Sequence, residues 1–358
     1  MDPGFNFRHQ FSYCPLQDVS SARFAIIEPE SFKNDFIFIT LVQRPLKEGF
    51  FYEALSYTWG DESDKVVIAC REDTRDPNAT QPNMPAFAGL AISRNCYNAI
   101  RRLSLPDSRV VWIDAICINQ EDLAERSAQV RMMGDIFTLA SRVVAYIGEE
   151  TPSIRLVFEE LKEVDKELSF PINRPVPNPK IREGLDEILQ RSWFSRIWVI
   201  QEMAFADDVL FMCGSSTASR AALIEAISGY NNIRITKSVV PYVLTVQYDT
   251  FSEEQNTGLA LWHLLGKTRK NLSTVAKDRI FAVIPLTDNA KELEALIDYQ
   301  RSVEELFIDI ATFLLSHIGP WLFLANRHGH KLKMPSWAPE WSQNTSIPVE
   351  WKTFSRLH

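Results

Sequence analysis

The chain has 358 residues, 46% of them apolar and 23% charged, which is enough to bury a core in about two domains. Its formal net charge of -8 and its lack of a Lys/Arg-rich run argue against a nucleic-acid partner, because binding to phosphates requires clustered positive charge. No apolar run reaches the roughly 18 residues that a membrane span needs, and the first residues lack the basic start of a secretion signal. Five scattered cysteines, none in a C-x-x-C pair, predict reduced thiols in a cytoplasmic protein without a zinc cluster.

Short apolar runs of strand length follow one another along the first 215 residues. They cover residues 36–42, 52–60, 110–116, 142–148 and 208–214. Most of them are continuous rather than alternating, which is typical of strands buried on both faces. The segments between them have helical periodicity, with Ser93 as the predicted N-cap of one helix and Asp122 with Glu125 as the predicted cap of another. Alternating strands and helices predict an α/β fold with a parallel sheet flanked by helices.

The later part of the chain has a different pattern. Residues 169–180 carry four prolines and predict an inserted loop. After residue 215 the pattern is mainly helical, and Ser302 with Glu305 predicts a capping box at the start of a long helix. The sequence therefore predicts an N-terminal segment with leading strands over 1–49, an α/β domain over 50–215, and a helical C-terminal extension over 216–358.

Distinctive residues follow two of the predicted strands. Tyr57, Trp59 and Gly60 come at the end of one, and Asp114 and Asn119 come at the end of another. In an open parallel sheet, ligands bind outside the carboxyl ends of the strands, and an aromatic pair beside glycine suits the stacking of a flat ring. The alternatives are that the aromatic residues anchor the loop on the core, and that the carboxylate of Asp114 caps a turn or pairs with an arginine.

The stretch RSWFSRIWVIQEM, residues 191–203, places an acid in an apolar helix. The pattern predicts a helix over 194–205, in which Glu202 lies one turn after Trp198. Glu202 is then either a cleft or partner-facing carboxylate or an ordinary solvent-facing one. No metal site is predicted, because the His328-x-His330 pair has no further ligand nearby, and the common phosphate-binding loops are missing from the sequence.

Four blocks of the sequence resemble the successive blocks of the fungal heterokaryon-incompatibility (HET) domain. They are YEALSYTWGD, ISRNCYNAIRRL, the stretch from WIDAICINQ through SRVVAYIG, and RSWFSRIWVIQEM. Three later blocks, KDRIFAVIPL, IDYQRSVEELF and MPSWAPEWS, resemble the tail of the same proteins. The resemblance covers roughly residues 20–342. It implies a flavodoxin-like sheet of the kind found in TIR domains.

The resemblance also implies an activity. Many TIR domains cleave NAD with a glutamate in a W-C-x-x-E motif, and here W-V-I-Q-E places that glutamate at Glu202, with Val199 in place of the cysteine. NAD is then a substrate and no cofactor is expected. Trp198 or Trp59 is expected to stack on the nicotinamide, and the turn from Tyr57 to Gly60 to line the ribose and diphosphate, with Asp114 and Asn119 at the neighbouring strand end.

The resemblance leaves three functions open. The first is a cell-death effector of fungal non-self recognition that hydrolyses NAD or NADP to nicotinamide and ADP-ribose products. The second is a non-enzymatic module that self-assembles and signals through partners. The third is a regulator that binds NAD without cleaving it. For the first two, a homo-oligomer on activation and an upstream NLR-type or incompatibility protein are the expected partners.

Overall fold

A computed structural model describes residues 7, 9–34, 36–46, 49–73, 85–166, 179–231, 242–246, 258–319 and 332–342. Within them, nine strands form one sheet, in the order β5-β4-β2-β1-β6-β3-β7-β8-β9. In chain order they are β1 (Ser21–Ile27), β2 (Phe38–Pro45), β3 (Glu53–Tyr57), β4 (Lys65–Asp73), β5 (Ala88–Ser93), β6 (Arg109–Trp112), β7 (Arg142–Tyr146), β8 (Val209–Cys213) and β9 (Ser216–Ser219).

The centre of the sheet is parallel. β6, β3, β7 and β8 are parallel neighbours, and their order by position in the chain is 2-1-3-4. This is the order of the first four strands of a flavodoxin-like sheet, so the predicted α/β class is confirmed. The finer assignment to a TIR-like fold stays a prediction.

The sheet is mixed rather than wholly parallel. β1 is antiparallel to both β2 and β6, and the β4–β5 and β8–β9 pairs are antiparallel as well. The β8–β9 connection has a simple cause, because Cys213 pairs with Ser216 across only two residues and Gly214 takes a positive φ of 54°. A loop that short joins only antiparallel strands.

Helices cover the sheet and make up the later part of the chain. Those before residue 200 are α1 (Glu30–Lys33), α2 (Arg94–Leu103), α3 (Asp114–Cys117), α4 (Leu123–Leu139), α5 (Pro152–Lys166), α6 (Pro179–Leu189) and α7 (Val199–Ala204). The later ones are α8 (Arg220–Asn231), α9 (Tyr242–Thr245), α10 (Leu259–Lys267), α11 (Asp278–Phe281), α12 (Ala290–Leu293) and α13 (Val303–Ile318). Short 3₁₀ helices occur at Ser192–Ser195, Ile284–Leu286 and Glu294–Leu296.

The predicted helix starts agree with the structure. Ser93 accepts a hydrogen bond from the amide of Cys96, and Ser302 forms the predicted capping box with Glu305. Asp122 accepts from two amides in the first turn of α4, whereas the carboxylate of Glu125 binds Arg23 instead of the N-cap backbone. Most of the proline-rich stretch predicted as a loop, from its start to residue 178, lies outside the described residues.

A buried arginine joins three elements of the sheet region. Arg23 of β1 is fully buried and donates hydrogen bonds to Glu72 of β4, at 3.1 Å, and to Glu125 of α4, at 2.5 Å. It also donates to the carbonyl oxygens of Cys14 and Cys117. Burial by itself would lower the pKa of this guanidinium, but the two glutamates raise it. The network is fully paired, as a buried charge requires.

The described residues group into two compact units. One is drawn from Met1–Phe194 and Phe205–Val246 and contains the sheet, and the other is drawn from Ser195–Ala204 and Gln247–His358. α7 therefore belongs to the second unit. It is connected by sequence to the sheet region and by its contacts to the helices of the C-terminal part.

Candidate functional site

In the first unit, two predicted site residues meet at neighbouring strand ends. Trp59 follows β3 and donates its indole Nε1–H to Oδ2 of Asp114 at 2.8 Å. Asp114 follows β6, and its Oδ1 accepts from the amide of Ala115 at 2.7 Å in the first turn of α3. Both side chains are half-buried. Asp114 thus orients the ring of Trp59 and also stabilises the start of a helix.

The other residues predicted around this loop support its shape. Tyr57 is fully buried, which fits the alternative that it anchors the loop on the core. Gly60 has a φ of 78°, and a Cβ there would lie 3.1 Å from Cβ of Asn95. The side-chain Nδ2 of Asn95 donates to the carbonyl and hydroxyl oxygens of Thr58. Only glycine combines this positive φ with the close approach to Asn95 without strain.

Asn119 lies in the turn that leads into α4. Its backbone amide donates to Oε1 of Glu125 at 2.7 Å, and its side-chain oxygen accepts from the amide of Glu121 at 3.3 Å. The side chain of Gln120 reaches back to the carbonyl oxygen of Asp114 at 2.8 Å. The residues after β6 therefore form one hydrogen-bonded turn.

A charged cluster after β7 was missed by the sequence reasoning. Glu149 accepts hydrogen bonds from the hydroxyl of Tyr146, at 2.6 Å, and from the guanidinium of Arg102. Arg191 donates to the carbonyl oxygen of Glu149 at 3.0 Å and lies against Gly148, whose φ is 110°. The ends of β3 and β7 form the switch point where flavodoxin-like sheets bind ligands. The only signal in the sequence was the Gly-Glu-Glu that follows the predicted strand.

In the second unit, Glu202 is buried on α7. Its side chain is 3% exposed, and Oε1 lies 3.5 Å from Nη1 of Arg196, whose side chain is 17% exposed. The alternative that Glu202 faces solvent does not fit this burial. The carboxylate is held in a place of low dielectric constant, where charges interact more strongly than in water.

Trp198 is tied to the C-terminal part of the chain. Its Nε1–H donates to Oδ2 of Asp278 at 3.1 Å, and Oδ1 of Asp278 accepts from the hydroxyl of Tyr299 at 2.7 Å. All three residues are buried. The edge of the indole is therefore fixed by an aspartate that comes 80 residues later.

The backbone before α7 is also held in place. The amide of Leu272 donates to the carbonyl oxygen of Ser195 at 2.6 Å, and the amide of Ile197 donates to the carbonyl oxygen of Leu272 at 2.9 Å. The predicted helix over 194–205 is wrong in its first half for this reason. Residues up to Ser195 form a 3₁₀ turn, Arg196 forms an isolated β-bridge with Leu272, and the α-helix begins at Val199.

Gln201 is a further residue of α7 that the sequence reasoning did not select. It is 0% exposed, and within the described parts of the chain neither Oε1 nor Nε2 has a hydrogen-bond partner. Its only signal in the sequence is a polar residue among apolar ones in Val-Ile-Gln-Glu-Met.

The predicted site residues fall into two groups. Tyr57, Trp59, Gly60, Asp114 and Asn119 are in the first unit, and Trp198 and Glu202 are in the second. His328 and His330 lie outside the described residues. Across the part of the chain that the structure describes, no cluster of three or more His, Cys, Asp or Glu side chains is placed to hold a metal ion. No helix among the described segments is long and apolar enough to cross a membrane.

Comparison with known proteins shows which protein family the chain resembles. Residues 52–202 match the family model described as Heterokaryon incompatibility protein (HET). The chain therefore contains a stretch that matches the HET family, as the sequence blocks predicted. It is 25% identical, over an alignment of 413 positions, to the Heterokaryon incompatibility protein 6, OR allele, of Neurospora crassa. That alignment covers 93% of this chain and 60% of the relative, so the chain spans about three fifths of the relative's length. No solved structure matches the chain.

Proposed function

We propose that this chain acts in fungal non-self recognition as a cell-death effector, and that it hydrolyses NAD to nicotinamide and ADP-ribose products. The match to the HET family model and the name of the Neurospora relative support the broader role. The observation that carries the enzymatic part is the burial of the Glu202 carboxylate on α7, one helical turn after the tryptophan of the predicted motif.

The chemistry of NAD hydrolysis suits a single carboxylate. The nicotinamide ring is cationic in NAD and leaves as a neutral molecule, so it needs no proton from an acid, unlike the alcohol in glycoside hydrolysis. What the transition state needs is an anion beside the oxocarbenium-like ribose, and a preorganised carboxylate in a buried place supplies it. Glu202 is the proposed catalytic residue.

Arg196 has a positioning role in this proposal. Its guanidinium lies 3.5 Å from the Glu202 carboxylate, which restricts the rotamers of the acid and offsets part of its charge. A cationic ribose would compete with Arg196 for the same carboxylate. Activity would then depend on how far the pair opens, which is consistent with the expectation that assembly activates the protein.

The same ion pair favours the second candidate function. Structural ion pairs have the same geometry, with a buried carboxylate beside an arginine. In that case Glu202 stabilises α7, and the chain acts as a non-enzymatic module that self-assembles and signals through partners. The two functions differ in whether the charge of Glu202 is needed for chemistry.

Nicotinamide release from NAD by the purified chain at high protein concentration separates them. Glu202→Gln keeps the size of the side chain and removes its charge, and Glu292→Gln, at an exposed position of α12, is the matched control. We expect Glu202→Gln to reduce the rate by about 100-fold or more, as loss of a transition-state charge does, and the control to have no effect. Thermal unfolding of each variant verifies that the fold is intact, and NADP in place of NAD tests the preference between the two substrates.

Cell death in the fungus provides the second readout. If Glu202→Gln kills as well as the wild type, hydrolysis is not the cause of death and the assembly function replaces it. Tight NAD binding by the wild type without nicotinamide release would instead mark a nucleotide sensor.

A further inference from the structure

A buried carboxamide lies next to the proposed catalytic carboxylate. Gln201 is 0% exposed and precedes Glu202 on α7, and among the described residues no group hydrogen-bonds its Oε1 or Nε2. The neighbours Ile200 and Met203 on the same helix are buried and apolar. Apart from Glu202, the rest of α7 is hydrophobic, so Gln201 keeps a second polar group in a buried helix.

An unpaired carboxamide is costly for the folded state. It gives up its hydrogen bonds to water on burial and gains none in return, whereas methionine has nearly the same shape and no such cost. A second buried glutamine shows the contrast. Gln129 of α4 is also fully buried, and its Oε1 has no hydrogen-bond partner among the described residues either, but its Nε2 donates to the carbonyl oxygen of Ser21 at 2.9 Å. Gln129 therefore contributes to the fold through that bond, while Gln201 contributes none.

The chemistry of the group defines its ligand. A carboxamide presents one acceptor and a pair of donors in one plane. Its complement is a planar group with a donor beside an acceptor, which is either a second primary carboxamide or the edge of adenine. NAD contains both, one at each end.

We infer that Gln201 is a specificity residue that recognises the carboxamide of the nicotinamide ring. This inference rests on the proposed function, in which Glu202 acts at the bond between nicotinamide and ribose. Gln201 is adjacent to Glu202 on the same helix. In a dinucleotide bound with its nicotinamide–ribose bond at Glu202, the nicotinamide end is therefore nearer to the carboxamide than the adenine end is.

The test compares dinucleotides that differ in one hydrogen-bonding group. 3-Acetylpyridine adenine dinucleotide keeps the carbonyl of NAD and its charge but lacks the amide N–H donors. The 1,N6-ethenoadenine form of NAD keeps the nicotinamide and lacks the adenine N6–H donor. Each is assayed with the wild type and with Gln201→Met, with Gln129→Met as the matched control.

We expect the wild type to prefer NAD over the acetylpyridine analogue by about 10- to 100-fold in kcat/KM, because a site built for a hydrogen bond rejects a ligand that lacks it. In Gln201→Met this preference should fall to about twofold, because the group that reads the amide is gone. Gln129→Met should keep the wild-type preference. The ratio of kcat/KM for NAD to kcat/KM for the ethenoadenine form should be the same in all three proteins.

Stability provides a readout that is independent of turnover. Gln201→Met should raise the midpoint of thermal unfolding, since it removes unpaired polar atoms from the interior, and Gln129→Met should lower it, since it removes a hydrogen bond. A lowered midpoint for Gln201→Met would show that the carboxamide has a structural role and would overturn the inference.

The outcomes distinguish this inference from the proposed function. The inference fails if the wild type cleaves NAD and the acetylpyridine analogue equally well, or if Gln201→Met keeps the preference for NAD. In both cases the proposed hydrolase function is unaffected. If Gln201→Met loses only the preference for NAD over the ethenoadenine form, the carboxamide recognises adenine, and its assignment to nicotinamide is overturned. If the wild type releases no nicotinamide, calorimetric binding replaces the rates. If the wild type then binds NAD more tightly than the acetylpyridine analogue and Gln201→Met does not, the inference is supported but the proposed hydrolase function is not. Equal binding of the two dinucleotides, or no detectable binding, overturns both the inference and the proposed function.

Discussion

At the scale of single residues, Glu149 shows how a strand end can make stability depend on pH. Burial by itself would raise the pKa of this carboxyl, but hydrogen bonds from Arg102 and Tyr146 lower it overall. Its folded-state pKa is therefore below the unfolded value of about 4.3. The stabilisation is complete above the unfolded value and is lost as the pH falls through the folded one.

We predict that Glu149→Gln flattens the pH dependence of the unfolding free energy between about pH 5 and pH 3. The effect should be below about 1 kcal/mol, because the side chain is 44% exposed and solvent screens the interaction. Urea unfolding across this pH range measures it, with Glu292→Gln as the control. Parallel curves for the wild type and Glu149→Gln would contradict the prediction.

Single residues also set the limit of what the sequence could predict. The meeting of Trp59 with Asp114 follows from a general rule, because the ends of adjacent parallel strands lie at one edge of a sheet. The role of Arg23 does not follow from any local pattern. Its charge interrupts the apolar run of β1, and its partners lie 49 and 102 residues further along the chain. The sequence reading therefore expected leading strands over 1–49 without locating β1, and it missed the network.

At the scale of elements, local sequence patterns identified the long helices and their caps. They failed for segments whose conformation is set by pairing with residues far away in the chain. The predicted strands that became β2, β3, β6, β7 and β8 are rich in Val, Ile, Leu and Phe. β5, with the sequence AGLAIS, and β9, with STAS, have little β-propensity of their own and exist because they pair with β4 and β8. The start of the predicted helix over 194–205 was lost to pairing with Leu272 in the same way.

We predict a measurable coupling between Trp198, the residue before α7, and Asp278, the first residue of α11. The bond between the two side chains is buried and 3.1 Å long, so Trp198→Phe and Asp278→Asn should be non-additive by about 1 kcal/mol in a double-mutant cycle. Urea unfolding of the four proteins gives the cycle, and additive effects would show that the contact does not stabilise α7.

At the scale of the whole molecule, the sequence predicted the α/β class because helices lie between the parallel strands β3, β6, β7 and β8 along the chain. It predicted one α/β domain over 50–215. By its contacts, however, the segment Ser195–Ala204 groups with the residues from Gln247 onward. A boundary of this kind is set by which residues pack together, and no composition shift at residue 195 signals it.

The grouping leads to a prediction about the shortened chain 1–246. α7 has Val199, Ile200 and Met203 buried, and the contacts that hold it, from Leu272 and Asp278, come after residue 246. Without them, the backbone amides of residues 197–204 should exchange with solvent rapidly, while those of β3 and β7 stay protected, because local stability follows local packing. Hydrogen exchange measured by mass spectrometry on the full and shortened chains tests this. Equal protection of residues 197–204 in both would mean that the sheet region holds the Glu202 helix by itself, and that the C-terminal part serves another purpose.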